Sequence, residues 1–133
     1  DMKEAHNDLV MVLRKKGDNK AALKVCEHAL KKHDNDDTLY RNKGNILYAL
    51  DEPEKALEAF EAAIDLNPYV VDTWVNKGTV LWKAMKQREE ALAAFDKALE
   101  INPNFMAAVD SRISLEAEIK ANRPSFFKRL FGG

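Results

Sequence analysis

Two short markers recur along this chain at nearly the same interval. Asn42-Lys43-Gly44 is matched by Asn76-Lys77-Gly78, 34 residues on. Leu66-Asn67-Pro68 is matched by Ile101-Asn102-Pro103, with the prolines 35 apart. A fixed period in this range means one supersecondary unit repeated, each copy burying its apolar face against the next. The segments between markers are helical by spacing. Ala56, Phe60 and Ala63 stand at i, i+4 and i+7, with Glu54, Glu58, Glu61 and Asp65 outside the stripe. Ala91, Phe95 and Ala98 repeat that stripe, and so do Ala22, Cys26 and Ala29. Each follows a partner with apolar positions at helical spacing, over 3–15, 38–50 and 72–85. The turns between partners are Lys16-Gly17-Asp18-Asn19, Asp51-Glu52-Pro53 and Lys86-Gln87-Arg88. Pro53 suits a first helical turn, where its missing N–H costs nothing. Pro68 and Pro103 end one helix and begin the approach to the next.

The count is three helix pairs and a seventh helix over 104–121. The expected domain spans 1–123, with repeats at 3–36, 37–70 and 71–105, and residues 124–133 form a tail. A glycine inside a helix costs about 1 kcal/mol relative to alanine. Gly44 and Gly78 therefore predict close approach of the paired helix, with small Ala56 or Ala91 facing them. From Gly44 to Ala56 is 12 residues and from Gly78 to Ala91 is 13, so the turn of the third repeat is expected to be one residue longer.

This pattern resembles the tetratricopeptide repeat. The middle repeat has Tyr40 at that family's tryptophan position, then Gly44, Leu47, Ala56, Phe60, Ala63 and Pro68. The next has Trp74, Gly78, Leu81, Ala91, Phe95, Ala98 and Pro103. The first is degenerate, with Val10, Cys26 and Asp34 at the glycine, phenylalanine and proline positions. In the seventh helix the glycine position is Ile113, as expected of a cap with no eighth helix to approach, and Ser111, Arg112, Glu116 and Lys120 are available for its wet side. The resemblance implies an all-α, right-handed solenoid of three repeats plus a C-terminal capping helix.

It also implies a function, protein–protein interaction, with the first helices of successive repeats lining a concave groove for a partner's peptide segment or helix. The expected contact residues are Arg41, Asn42, Asn45, Tyr48, Asn76, Thr79 and Trp82. Around them lie Asn7, Met11, Arg14 and Lys15 from the first repeat and Lys83 from the third. Tyr48 and Trp82 are 34 apart, which predicts two neighbouring aromatic surfaces suited to anchoring a partner, or else rings packed against neighbouring repeats. Asn42 and Asn76 offer donors and acceptors to a bound main chain, or else bridge adjacent helices. A weaker alternative is the family's carboxylate clamp for a chaperone C-terminus. Arg41, Asn45 and Asn76 match its first three positions, but Ala107 and Ser111 stand where it needs two basic residues, and Asp110 adds an acid.

The tail changes character. Residues 119–133 hold four basic side chains and no acidic one, and Phe126, Phe127, Leu130 and Phe131 would share one face of a short helix. Such a helix needs support. Three fates stay open for the tail: folding back on the chain, inserting into another copy, or resting weakly on an anionic membrane; the alternative function is a self-assembling scaffold joined through the tail or the repeat ends.

The remaining features narrow the field. A net charge of −1 gives no basic field for nucleic acid. One cysteine cannot form an internal disulfide and fits a reducing, cytoplasmic setting. The polar start shows no signal-peptide pattern, and the absent initiator Met predicts upstream sequence. Hydrolase, phosphate-loop and zinc-protease motifs are missing, so neither enzymatic activity nor a cofactor is expected. Cys26 and His28 lie about 200° apart around one helix, so together with His33 they do not read as a metal site. The run Asp34-Asn35-Asp36-Asp37 lacks the glycine and closing glutamate of a calcium loop and is expected to cap the next helix.

Overall fold

The end signals work as helix boundaries. In a computed structural model that describes residues 2–123, those residues form seven helices and no strand. They are α1 (Met2–Lys15), α2 (Asn19–Lys32), α3 (Asp37–Ala49), α4 (Pro53–Leu66), α5 (Val71–Thr79, continued by a π turn over Val80–Ala84), α6 (Arg88–Ile101) and α7 (Met106–Asn122). Asp18 caps α2 by accepting from the Ala21 N–H at 3.2 Å, and Asp36 caps α3 by accepting from Thr38 at 3.0 Å. The acidic run therefore does serve as a cap. In the two Asn-Pro loops the asparagine side chains do matching work: Asn67 accepts from the Tyr69 N–H at 3.2 Å and Asn102 from Asn104 at 3.1 Å. That turn holds Asn104 outside α7, which starts at Met106 rather than at 104. Phe126, Phe127, Leu130 and Phe131 lie outside the described residues. No described helix is long and apolar enough to cross a membrane.

Each pair closes over its own core. Ala56, Ala59 and Phe60 of α4 pack with Leu47 of α3 and reach Val80 of the next repeat. Phe95 and Ala91 of α6 join Leu81, Trp82 and Leu115, tying the third repeat to α7. The glycines sit closer to their partner helix than the small alanines suggested, and against a different residue. A Cβ on Gly44 would come within 2.5 Å of the Phe60 ring, and one on Gly78 within 2.7 Å of Phe95. The space beside each glycine is filled by an aromatic ring, not by Ala56 or Ala91. In the first repeat Val10 and Cys26 occupy these positions, both fully buried in one cluster, so a larger first side chain faces a smaller second one.

The third repeat's extra residue does not lengthen the turn. Each inter-helix turn has one residue with left-handed backbone: Gly17 (φ 81°), Asp51 (φ 60°) and Lys86 (φ 57°). From that residue to Ala22, Ala56 or Ala91 is five residues in every case. From Val10 or Gly44 to it is seven, but from Gly78 it is eight. The insertion is absorbed within the helix as the π turn, where the Met85 N–H reaches back to Val80 O at 3.1 Å. Everything after it is rotated by about one residue's 100°.

The cap is partly as expected. Ile113 is 60% exposed, while Ala108 and Leu115 are buried. Arg112 is not simply a wet-side residue: its guanidinium donates to Asp96 of α6 at 2.5 Å and pairs with Glu116 at 3.1 Å.

Candidate binding groove

The first helices of successive pairs are linked side chain to side chain. Between α1 and α3, the Asn42 amide donates to Asn7 Oδ1 at 3.1 Å, and Arg14 donates to Asn42 Oδ1 at 3.5 Å. Between α5 and α7, Trp82 Nε1 donates to Glu118 at 2.9 Å, and Glu118 also accepts from Arg88 at 2.7 Å. These two hydrogen bonds, Arg88 first, hold the Glu118 carboxyl below the usual glutamate value.

Asn42 is 6% exposed with both ends of its amide engaged, so it bridges helices and presents nothing to a partner. Of the two alternatives for this asparagine, the structural one holds. For Trp82, too, the packing alternative holds and the anchoring one does not. It is 9% exposed, edge-on to Phe95 at 6.2 Å between centroids, whereas Tyr48 is 37% exposed. The π turn explains the difference. Counted back from the left-handed turn residue, Tyr48 is third before Asp51, and third before Lys86 is Lys83. Lys83 is exposed and lies over the Trp82 ring, with Nζ 3.7 Å from the centroid. The matched pair of aromatic surfaces is therefore one aromatic ring and one ammonium.

The other expected residues are mixed in their freedom. Arg41 is half-buried and pairs with Asp37 at 3.8 Å, one helical turn away. The Thr79 hydroxyl donates to Val75 O at 2.9 Å within its own helix. Asn76 is half-exposed on α5, one turn before the π segment. Asn45 lines a cavity of about 320 Å³ with Met11, Arg14, Lys15, Asn19 and Ala49, between α1 and α3. Its charged lining is Arg14 and Lys15, with no carboxylate. Burial lowers the Arg14 guanidinium from its ordinary pKa, so this cation has given up part of its hydration. Glu118 and Arg88 were not anticipated, because neither carries a repeat marker and they meet only when α7 packs on the third pair.

Cys26 is buried, its Sγ donating to Leu39 O at 3.1 Å, and burial pushes its thiol up to about 12. As they stand, no three His, Cys, Asp or Glu side chains among the described residues are arranged to hold a metal ion.

Comparison with known proteins agrees with this architecture. Tetratricopeptide repeat family models match residues 38–69 and 71–105. No curated protein sequence matches the chain. Among solved structures, the first repeat domain of Spaghetti (RPAP3), bound to the HSP90 peptide SRMEEVD, is similar with a TM-score of 0.84 and 17% identity, over 89% of this chain and 93% of that one. The Sgt2 repeat domain from Aspergillus fumigatus gives 0.84 and 18%, over 93% and 86%. YrrB, described as having an unusual peptide-binding site, gives 0.77 and 28%, over 83% of this chain and 56% of that one. The two repeat matches together cover half of the sequence, and the solved structures that resemble the chain share its fold: the chain belongs to the tetratricopeptide repeat family.

Proposed function

We propose that this chain is a protein-interaction module holding a segment of a partner protein across α1, α3 and α5. The observation that carries this is the cavity between α1 and α3, with Arg14, Lys15 and Asn45 in its lining and exposed Tyr48 on the same helix as Asn45. Tyr48 supplies an anchoring ring, and Asn45 and Asn76 supply amides for a bound main chain. Arg14 and Lys15 favour a partner with acidic or carbonyl groups at that end, since a partly desolvated cation gains most from a new acceptor. Similar structures, one described as bound to a peptide and one as having a peptide-binding site, support the same reading.

The test is selection from a random peptide library on the intact chain. Selected peptides are expected to lose at least about tenfold in affinity on Tyr48→Ala or Asn45→Ala and to be unaffected by Glu58→Lys on α4, a hot-spot pattern. Equal binding to the groove variants would place the site elsewhere.

A chaperone-clamp role is disfavoured. Arg41 is held by Asp37, Ala107 and Ser111 supply no charge, and Arg112 is turned onto Asp96. A peptide with a free carboxylate and its amide should bind equally. End-to-end self-association is a second reading, favoured by exposed Leu9 and Val12 on α1 and Met106 and Ile113 on α7. Light scattering on the chain, with and without residues 124–133, distinguishes ends from tail as the source of any oligomer.

A further inference from the structure

The stack ends on a first helix without its second. α3 and α5 each share a core with the helix that follows, and among the described residues no helix follows α7. Matched positions show what that leaves bare. Leu23, Leu57 and Leu92 stand in one column of α2, α4 and α6, directly after the buried Ala22, Ala56 and Ala91. Leu23 packs against the cores of the first and second pairs, and Leu57 against that of the third. Leu92 packs on the last core and then borders an open cavity of about 280 Å³, with Glu116, Ile119, Lys120 and Arg123. Ile113 holds the place where Gly44 and Gly78 meet the rings of Phe60 and Phe95, and it is 60% exposed. It lies three residues before Glu116 and seven before Lys120, on the same face of α7 as the cavity.

We propose that residues 124–133 of the same chain fold back along α7 and cover this face. The segment begins where the cavity opens, because Arg123 both lines the cavity and ends the helix. Arg123 has extended backbone (φ −76°, ψ 131°), as suits a residue before proline, so the chain leaves the α7 axis there. The length fits. Ten residues reach about 15 Å as a helix, and α7 from Asn122 back to Ile113 is about 14 Å long. The composition fits too. Phe126, Phe127, Leu130 and Phe131 supply apolar mass for Leu92, Ile113 and Ile119, and leave Lys128 and Arg129 for the wet side. A helix this short does not hold itself in water, and an apolar face within reach is the support it needs. A second copy would have to give up its translational freedom to make these contacts, whereas the attached segment makes them at its own high effective concentration. The occupant is therefore the chain itself, which withdraws Ile113 from end-to-end contact and leaves the cavity between α1 and α3 untouched.

The experiment uses the full chain in dilute solution, with methyl-labelled isoleucine and protonated phenylalanine, observed by NMR. Expected are Overhauser contacts from the Ile113 and Ile119 methyls to phenylalanine rings, and upfield methyl shifts, all lost in Phe127→Ser/Leu130→Ser. A sample that mixes methyl-labelled copies carrying deuterated phenylalanine with unlabelled copies should show none of these contacts. Thermal melts add a second readout. Ile113→Gln should lower the Tm by roughly 4 °C or more in the full chain, where a bare surface site would be near neutral. The same substitution should leave the Tm of the Phe127→Ser/Leu130→Ser chain unchanged. Contacts in the mixed sample would give the face to a second copy and overturn the proposal. So would contacts that appear only with phosphatidylserine vesicles, methyl positions indifferent to the tail substitutions, or an Ile113→Gln effect equal in both backgrounds. If the tail variant does not fold, the presence of the contacts in the uniform sample and their absence from the mixed one decide alone.

Discussion

The middle and third repeats carry the same signature and differ by one residue, yet they present different chemistry on the same side of the stack. In the middle repeat the helix after Gly44 runs without a π turn to Ala49, and Tyr48 stays outside. In the third, the π turn rotates the helix, Trp82 goes into the core against Phe95 and Glu118, and Lys83 takes the outer place. An inserted residue that lands in a loop changes little beyond it. One that lands in a helix changes which face every later side chain occupies, so the same residue class in the same column can face outward in one repeat and be structural in the next.

The largest expected effect separates those two aromatic residues directly. Trp82→Ala should cost about 3–5 kcal/mol, as buried large-to-small changes do, while Tyr48→Ala should cost under about 1 kcal/mol. Urea unfolding of both variants measures this, and equal costs would mean that the rotation is wrong. Next, deleting Lys83 restores the shorter spacing and should turn Trp82 outward. In a Trp74→Tyr background its fluorescence emission should shift to the red, with a loss on the order of 2–4 kcal/mol from the emptied core. An unshifted emission would show that the π turn is not what buries the ring.

Smaller effects test what the two repeats share. Gly44→Ala and Gly78→Ala should each cost about 1–3 kcal/mol through overpacking against Phe60 and Phe95, outweighing alanine's better helix propensity. A stabilised variant at either site would show that the ring gives way there. The smallest effect belongs to the third repeat alone. Glu118 has its folded pKa lowered by Arg88 and Trp82, so its contribution to stability is present above the ordinary glutamate value and fades as pH falls below it. Glu118→Gln should remove that part of the acid dependence, measured as midpoint against pH from 6 to 3, and leave the rest of the curve unchanged.

Much of this was legible in the residues because repetition made it so. Two copies of Asn-Lys-Gly and of Asn-Pro fixed the period, and the Ala-Phe-Ala stripes identified the buried faces of α4 and α6. The stacking and the degenerate first pair followed. What the glycines face was not legible, because spacing gives the paired helix but not whether Ala56 or the Phe60 ring fills the gap. The groove was legible only as far as the first helix stays regular. Column counting put Trp82 beside Tyr48, since a 13-residue interval reads the same whether the extra residue sits in the turn or in the helix. Asn42 could have gone either way, and its burial depends on Asn7 and Arg14 arriving from another helix.

The exchange of bulk between the first pair and the others also bears on how such chains change over generations. Gly44 with Phe60 and Val10 with Cys26 are two solutions to one volume. Passing from one to the other by single steps leads either through glycine with cysteine, which leaves a hole, or through valine with phenylalanine, which makes a collision. The two positions are thus expected to be inherited as a unit, each substitution harmful alone and tolerated in the company of the other.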